Sequence, residues 1–241
     1  MNKTFALSVA AGLIALFATS NGYAQTAESL VQTRDFNFTP NGNVDLTFAK
    51  FNDMGGTRIL TSVEVTVDYT KIDGSLSVDN DSAEAGSISV AHSIRGDLTV
   101  ASGGVSLMNT TGNSIGVNVV ASSTGGTTLG ATSGDPTNAY NDTSPASDHW
   151  VFTPADTNAS NSGTIFSGFQ NSYVGTDNFV LNFAALQTSD INGLGGVNYA
   201  LVNSSIEGFV TVRYNYDVIP EPSSMLFGLG SVGLLFFRRR R

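Results

Sequence analysis

Apolar and polar residues alternate along much of the chain, and this period of two predicts β-strands. The clearest segment is residues 58–72 (RILTSVEVTVDYTKI). Its odd positions from Ile59 to Tyr69 form one predicted face, and the even positions from Leu60 form the other. In residues 207–218 the predicted inward residues are Val210, Val212, Tyr214 and Tyr216. These segments are rich in β-branched and aromatic residues, which favours half-buried strands over helices.

About ten such runs are separated by Gly, Asn and Ser turns every eight to twelve residues or so, a spacing typical of all-β sandwiches. We therefore predict one antiparallel β-sandwich domain, jelly-roll-like, over residues 25–217. Arg95-Gly96-Asp97 is predicted to be the turn of a hairpin. Residues 122–147 lack sustained alternation and are predicted to form a long loop. Residues 217–222 are predicted to be a short linker.

The first 24 residues have the pattern of a signal peptide. Lys3 is followed by an apolar core from Phe5 to Ala18, and small residues stand at Gly22 and Ala24. Such a segment directs export and is removed by cleavage, which we place after Ala24, with cleavage after Ser20 as the alternative.

The last 24 residues combine three features. Pro220-Glu221-Pro222 presents one carboxylate between two rigid residues. The apolar run Met225–Phe237 spans roughly 20 Å as a helix, short for a bilayer core of about 30 Å. It predicts a short transmembrane helix. The run ends in four arginines that we expect to remain on the cytoplasmic side: Arg238, Arg239, Arg240 and Arg241.

This combination resembles the PEP-CTERM sorting tail of Gram-negative bacteria, over residues 218–241. The resemblance implies recognition of Pro220, Glu221 and Pro222 by an exosortase-type enzyme. It also implies transient anchoring in the inner membrane, removal of the tail, and delivery to the cell surface or extracellular matrix. An ordinary single-span C-terminal anchor is the alternative interpretation.

The body between the two ends resembles a second family. The segments "LTFAKFNDMGGTRILTSVEVTVDY", "SVDNDSA" and "VTVRYNYD" are similar to the choice-of-anchor E surface domains. That resemblance implies a β-rich extracellular module and supplies no catalytic residue.

Charge and cysteine content narrow the function classes. Residues 25–217 hold six basic and nineteen acidic residues, a net charge of −13. Nucleic acid is excluded as a partner, because phosphate binding requires a basic surface. The chain has no cysteine, so thiol catalysis and thiolate metal sites are excluded, and no cofactor is expected.

One acidic turn is a calcium candidate. In "VDNDSAEAG", Asp79, Asp81 and Glu84 offer the hard oxygen ligands that Ca²⁺ prefers. The spacing does not match the helical calcium loop, and a turn between strands is also rich in Asp and Asn. The turn interpretation is favoured.

The two histidines do not form a catalytic motif. His92 lies on the apolar face of a strand pattern, which favours a structural role. His149 follows Asp148 and precedes Trp150, without a paired ligand or nucleophile nearby in the sequence. The chain contains no phosphate-loop or His-Glu-x-x-His motif.

Aromatic residues cluster after the long polar stretch: Trp150, Phe152, Phe166, Phe169 and Tyr173. They are consistent with a sugar-stacking platform, although core packing is favoured. We therefore expect a non-catalytic surface or matrix protein associated with exopolysaccharide or biofilm. The alternatives are a glycan- or ice-binding module, and a matrix-polymer hydrolase that would need two carboxylates roughly 5 to 10 Å apart.

Overall fold

A computed structural model describes residues 26–72, 74–132, 148–165, 168–202 and 204–219. Within them the chain forms eleven strands and one short 3-10 helix at Gln170–Tyr173. The strands are β1 (Thr26–Phe38), β2 (Gly42–Ala49), β3 (Arg58–Ile72), β4 (Ser75–Asn80), β5 (Gly86–Ser102), β6 (Val119–Leu129), β7 (His149–Phe152), β8 (Thr157–Ile165), β9 (Asn178–Asn192), β10 (Val197–Val202) and β11 (Ser205–Val218).

Two four-stranded antiparallel sheets form the sandwich. One has the order β1-β11-β3-β8, which we call the front sheet, and the other has the order β2-β9-β5-β6, the back sheet. Each sheet alternates strands from the two ends of the chain, as in the double Greek key of a jelly roll. The predicted all-β, jelly-roll-like class is confirmed.

A three-stranded sheet, β10-β4-β7, lies at one end of the sandwich. It repeats the front-sheet order β11-β3-β8, because β3 is followed by β4, and β10 is followed by β11. Gly74, with φ +93°, stands between β3 and β4. A Cβ there would clash with the hydroxyl of Ser204, so the close approach of these two connections requires glycine.

Two hydrophobic cores result. The main core lies between the front and back sheets and includes the strand faces of β3 and β11, where Val63, Val65, Val210 and Val212 are fully buried. The small core lies under the three-stranded sheet and consists of Leu76, Val78, Ile88, Val90, Leu129 and Phe152. Most of the alternation in the sequence is therefore the signature of these cores.

The predicted faces of β3 are wrong at its start. Ile59 is 45% exposed, whereas Leu60 is buried. The register between β3 and β11 shifts between Asn215 and Tyr216, and such a bulge reverses the faces beyond it. Ile59 therefore lies on the surface.

The hairpin predicted at Arg95-Gly96-Asp97 is also wrong, because β5 continues through these residues. Gly96 pairs with Val119 and Ala185 in the middle of the back sheet. A Cβ at this position would lie 2.5 Å from the ring of Phe183. The glycine makes room for a core aromatic and does not form a turn.

The long loop predicted over residues 122–147 is wrong in its first part, which belongs to β6. Gly125 and Gly126 lie inside that strand, opposite Val90 and Ser89 of β5. A Cβ at Gly125 would clash with the ring of Phe152. The apolar alternation fails at Gly125 because the ring of Phe152, on β7, occupies the space that a side chain would need.

The terminal segments lie outside the described residues. These are the predicted signal peptide (1–24) and the tail residues from Pro220, including the predicted transmembrane helix. Among the residues that are described, no helix is long and apolar enough to cross a membrane.

Candidate functional site

The sorting tail leaves the body beside the start of the first strand. β11 pairs with β1 so that Val218 lies opposite Thr26, and on its other edge Val218 lies opposite Arg58 of β3. Ile219 then donates its N–H to the carbonyl oxygen of Thr57 at 2.8 Å. The predicted linker is thus ordered through Ile219, and the Pro-Glu-Pro motif begins at the next residue.

We call this region the exit end and define it as Thr26, the loop Asn52–Thr57, and Ile219. The loop turns through Met54, Gly55 and Gly56, which all have positive φ. Asn52 Oδ1 accepts the N–H of Met54 at 2.9 Å, and Asp53 Oδ1 accepts the N–H of Gly55 at 3.1 Å. Glycine tolerates this left-handed backbone, so "NDMGG" forms a fixed turn.

A groove of about 400 Å³ opens at the exit end. It lies between the loop, the start of β3 and the 3-10 helix, and its lining is Asp53, Gly56, Arg58, Ile59, Leu60, Asn171 and Val174. One lining residue, Ile59, is an apolar side chain that is 45% exposed, and Met54, which follows Asp53 in the chain, is 53% exposed.

Aromatic residues support the exit end from below. The ring of Phe51 lies 5.0 Å from the ring of Tyr216, and the guanidinium of Arg58 lies 5.3 Å from that same ring. Tyr216 donates its hydroxyl hydrogen to Glu28 at 2.8 Å. This hydrogen bond to a carboxylate raises the pKa of Tyr216.

A second groove lies on the outer face of the front sheet, with a volume of about 520 Å³. Phe209, 38% exposed, stands between Asp35 of β1 and Asp68 of β3, which are its cross-strand neighbours. Asn37, Thr70 and Glu207 also line it. An exposed ring bordered by carboxylate, amide and hydroxyl groups combines a stacking surface with hydrogen-bonding groups.

Sequence reasoning did not select Phe209, although its signal was present. The alternation that directs Val210, Val212 and Tyr214 inward directs Phe209 outward. The aromatic residues around Trp150 were considered as a platform because they are close in sequence.

The structure separates that predicted aromatic cluster. Trp150 is half-buried against Phe152, with ring centroids 5.4 Å apart, and Tyr173 is fully buried in the main core. Phe169 is 52% exposed, and Phe166 lies outside the described residues. The favoured core interpretation holds for Phe152 and Tyr173, and among the described rings Trp150 and Tyr173 belong to different cores.

The calcium candidates lie at the end of β4. Asp79 is buried, while Asp81 and Glu84 follow in the turn. The amide of Asn80 organises this turn, since its Nδ2 donates to the carbonyl oxygens of Glu84 at 2.9 Å and Gly130 at 2.5 Å. No group of three or more metal-ligating His, Cys, Asp or Glu side chains occurs within the described part of the chain. The calcium site stays a prediction.

The structure places the two histidines differently. His149 of β7 lies opposite Asp79 of β4, a proximity that the sequence did not indicate. His92 is fully buried between the two cores, where its ring nitrogens contact the hydroxyls of Ser189 at 2.8 Å and Ser204 at 3.0 Å. Burial, with a smaller effect of Lys71, lowers the pKa of His92 to about 4.

Comparisons with known proteins agree with the sequence at the tail. The model of the PEP-CTERM protein-sorting motif matches residues 218–241. The chain therefore carries this motif, which implies export, transient membrane anchoring and processing by exosortase, a membrane enzyme, before surface or extracellular localisation. Pro220, Glu221, Pro222 and the four arginines lie within the match and outside the described residues. No curated protein sequence matches the chain.

Solved structures give distant matches. A T13 particle of infectious bursal disease virus matches at 13% identity and TM-score 0.19, covering 82% of this chain and 40% of that chain. The Gx strain of the same virus matches at 11% identity and TM-score 0.15, covering 83% and 43%. The matched region thus spans less than half of those viral chains.

Proposed function

We propose that this chain is a non-enzymatic surface or extracellular-matrix protein that exosortase processing releases or attaches. The observation that carries the proposal is the sorting motif at residues 218–241, directly after the last strand of the jelly roll. The acidic, Ser/Thr/Asn-rich body suits an exported module that remains soluble outside the cell.

The termini of the native protein test this proposal. We expect a product outside the cell that begins near Gln25 and lacks residues 225–241, measured by intact mass and peptide analysis of membrane and medium fractions. A chain that still ends at Arg241 and occurs only in membranes would contradict exosortase processing and favour a simple anchor.

A second function, exopolysaccharide binding, is favoured by the groove at Phe209. The ring offers a stacking face, and Asp35, Asn37 and Glu207 offer hydrogen-bond acceptors and an amide donor around it. A glycan array with Phe209→Ala tests this. Loss of binding in that variant with retention in Trp150→Ala would place the site in the front sheet. Equal binding by both variants would refute it.

The same groove allows a test of the hydrolase alternative. Asp35 and Asp68 are on β1 and β3, two strand spacings or roughly 10 Å apart. This backbone spacing is just beyond the roughly 6.5 to 9.5 Å that separates the two carboxyl groups of inverting glycosidases. Release of reducing ends from a bound polysaccharide, lost in Asp68→Asn, would establish an enzyme and overturn the non-catalytic proposal.

Ice binding has weaker support. One row of threonines crosses the front sheet, formed by Thr33, Thr211 and Thr66. The adjacent rows contain Phe209 with its two carboxylates on one side and Arg213 beside Glu64 on the other. On the outer face of the front sheet, the described threonines thus form a single row.

A further inference from the structure

We propose that the exit end is a docking surface for the membrane enzyme that processes the tail. This enzyme would then recognise the folded body as well as Pro220-Glu221-Pro222. The inference rests on the proposed sorting function.

Only a short length of chain separates the motif from the folded body. Ile219 is held by its hydrogen bond to Thr57, and consecutive Cα atoms are about 3.8 Å apart. The Cα of Pro222 is therefore within roughly 11 Å of the Cα of Ile219. An enzyme that holds the three motif residues in a cleft must meet the surface around Ile219.

Strand β11 is hydrogen-bonded on both of its edges. It lies between β1 and β3, and both edges are paired through Val218. The residues of β11 up to Val218 therefore cannot add to an enzyme as an extended strand, because both of their edges are already paired. On this side of the motif, the enzyme can contact only the surface of the folded body.

The surface of the exit end is partly apolar. Beside Thr57 is the 400 Å³ groove, with Ile59, Leu60 and Val174 in its lining, and Met54 of the adjacent loop is 53% exposed. Asp53 and Arg58 add one charge of each sign. This is a partly apolar, fixed surface within reach of the motif, and it fits an apolar face of the enzyme.

The docking inference is tested by comparing two pairs of substitutions in the full-length chain, in cells that contain the processing enzyme. Met54→Ser with Ile59→Ser removes the exposed apolar groups of the exit end. Val120→Ser with Leu186→Ser is the control, since these residues are 50% and 46% exposed on the outer face of the back sheet. Pulse-chase measurement of tail loss gives the rate, and near-ultraviolet circular dichroism of the secreted product verifies folding.

We expect the exit-end pair to lose its tail about tenfold more slowly than the control pair, because apolar contacts are lost from the complex. A flexible spacer of about ten residues between Ile219 and Pro220 separates the motif from the groove. With the spacer, the exit-end substitutions should have no further effect. Equal rates for the two pairs in the chain without the spacer would overturn the docking inference.

A third variant, Glu221→Ala, separates the two proposals. If it blocks tail loss while the exit-end and control pairs behave alike, sorting stands and docking fails. If the tail is lost normally from Glu221→Ala, recognition of the Pro-Glu-Pro residues fails, and the docking inference fails with it.

Discussion

The two ends of the sandwich are stabilised by different chemistry. Near the exit end the main core is aromatic, and its tyrosines donate to acceptors of the surrounding chain: Tyr173 to Ser106, Tyr214 to Ala49 and Tyr216 to Glu28. At the other end the small core is mostly aliphatic. Between the cores, Lys71 and His92 are buried at the border with the three-stranded sheet.

The difference teaches how acid acts on the end that contains the small core, because a buried histidine lies at its border. Burial raises the pKa of Tyr173 and Tyr214, so these phenols remain protonated donors throughout the physiological range. His92 instead gains a proton as the pH falls, in a site whose burial penalises the charged ring. The exit end has an acid-sensitive group of its own, because hydrogen bonds from its own backbone N–H and from Lys50, beside Phe51, lower the pKa of Asp177.

The largest expected effect is at the exit end. Phe51 is fully buried against Tyr214 and Tyr216, so Phe51→Ala should lower the free energy of unfolding by about 3 to 5 kcal/mol. Urea denaturation of the secreted body measures this. Ile59→Ala is the matched control, because Ile59 is exposed nearby and should change stability by less than about 1 kcal/mol. Similar losses in both variants would refute the packing described for this end.

The second-largest expected effect is a loss of stability at low pH through His92, which lies at the border of the small core. The folded pKa of His92, about 4, is below its ordinary value of 6.5, so the unfolded chain binds the proton first as the pH falls. The free energy of unfolding should fall by roughly 2 to 3 kcal/mol between pH 6.5 and pH 4 from this group. His92→Gln should be less stable at pH 7 but have a flatter profile, measured by urea denaturation at each pH. Parallel profiles would contradict the prediction.

A smaller loss is expected at the glycine of β6. In Gly125→Ala the new methyl group would clash with Phe152, and Trp150 lies 3.3 Å from the same position. Overpacking of this kind costs about 1 to 3 kcal/mol. Thr124→Ala, on the outward face of the same strand, should lower the melting temperature far less. No difference between the two variants would show that the small core yields easily.

The alternation of apolar and polar residues predicted part of the fold and failed at particular residues. Alternation correctly predicted the inward faces of β11 and most of β3, because both strands bury one side only. It failed at Gly96 and Gly125, where the size of a ring on another strand determines the residue. It also failed at Ile59, because the bulge that reverses the faces depends on the partner strand.

For the candidate site, the motif at residues 220–222 could be read directly, since its residues are adjacent in sequence. The position of Ile219, the residue before the motif, beside Thr57 could not be predicted from the sequence. The hydrogen bond from Ile219 joins residues far apart in the chain, and it depends on the register of β3 against β11. The groove at Phe209 likewise required the register of three strands to bring Asp35 and Asp68 beside one ring.

The smallest effect sharpens the account of the exit end. Glu28→Gln removes the carboxylate that raises the pKa of Tyr216, so this phenol should titrate closer to its ordinary value, as measured by NMR of tyrosine-labelled protein. Tyr214 donates to the neutral carbonyl of Ala49, and its ring resonances at neutral pH should be unchanged, so they serve as the internal control. If both phenols shifted together, the substitution would have disturbed the packing around Phe51. A shift of Tyr216 alone would show that β1 contributes a local charge to the strand from which the tail leaves.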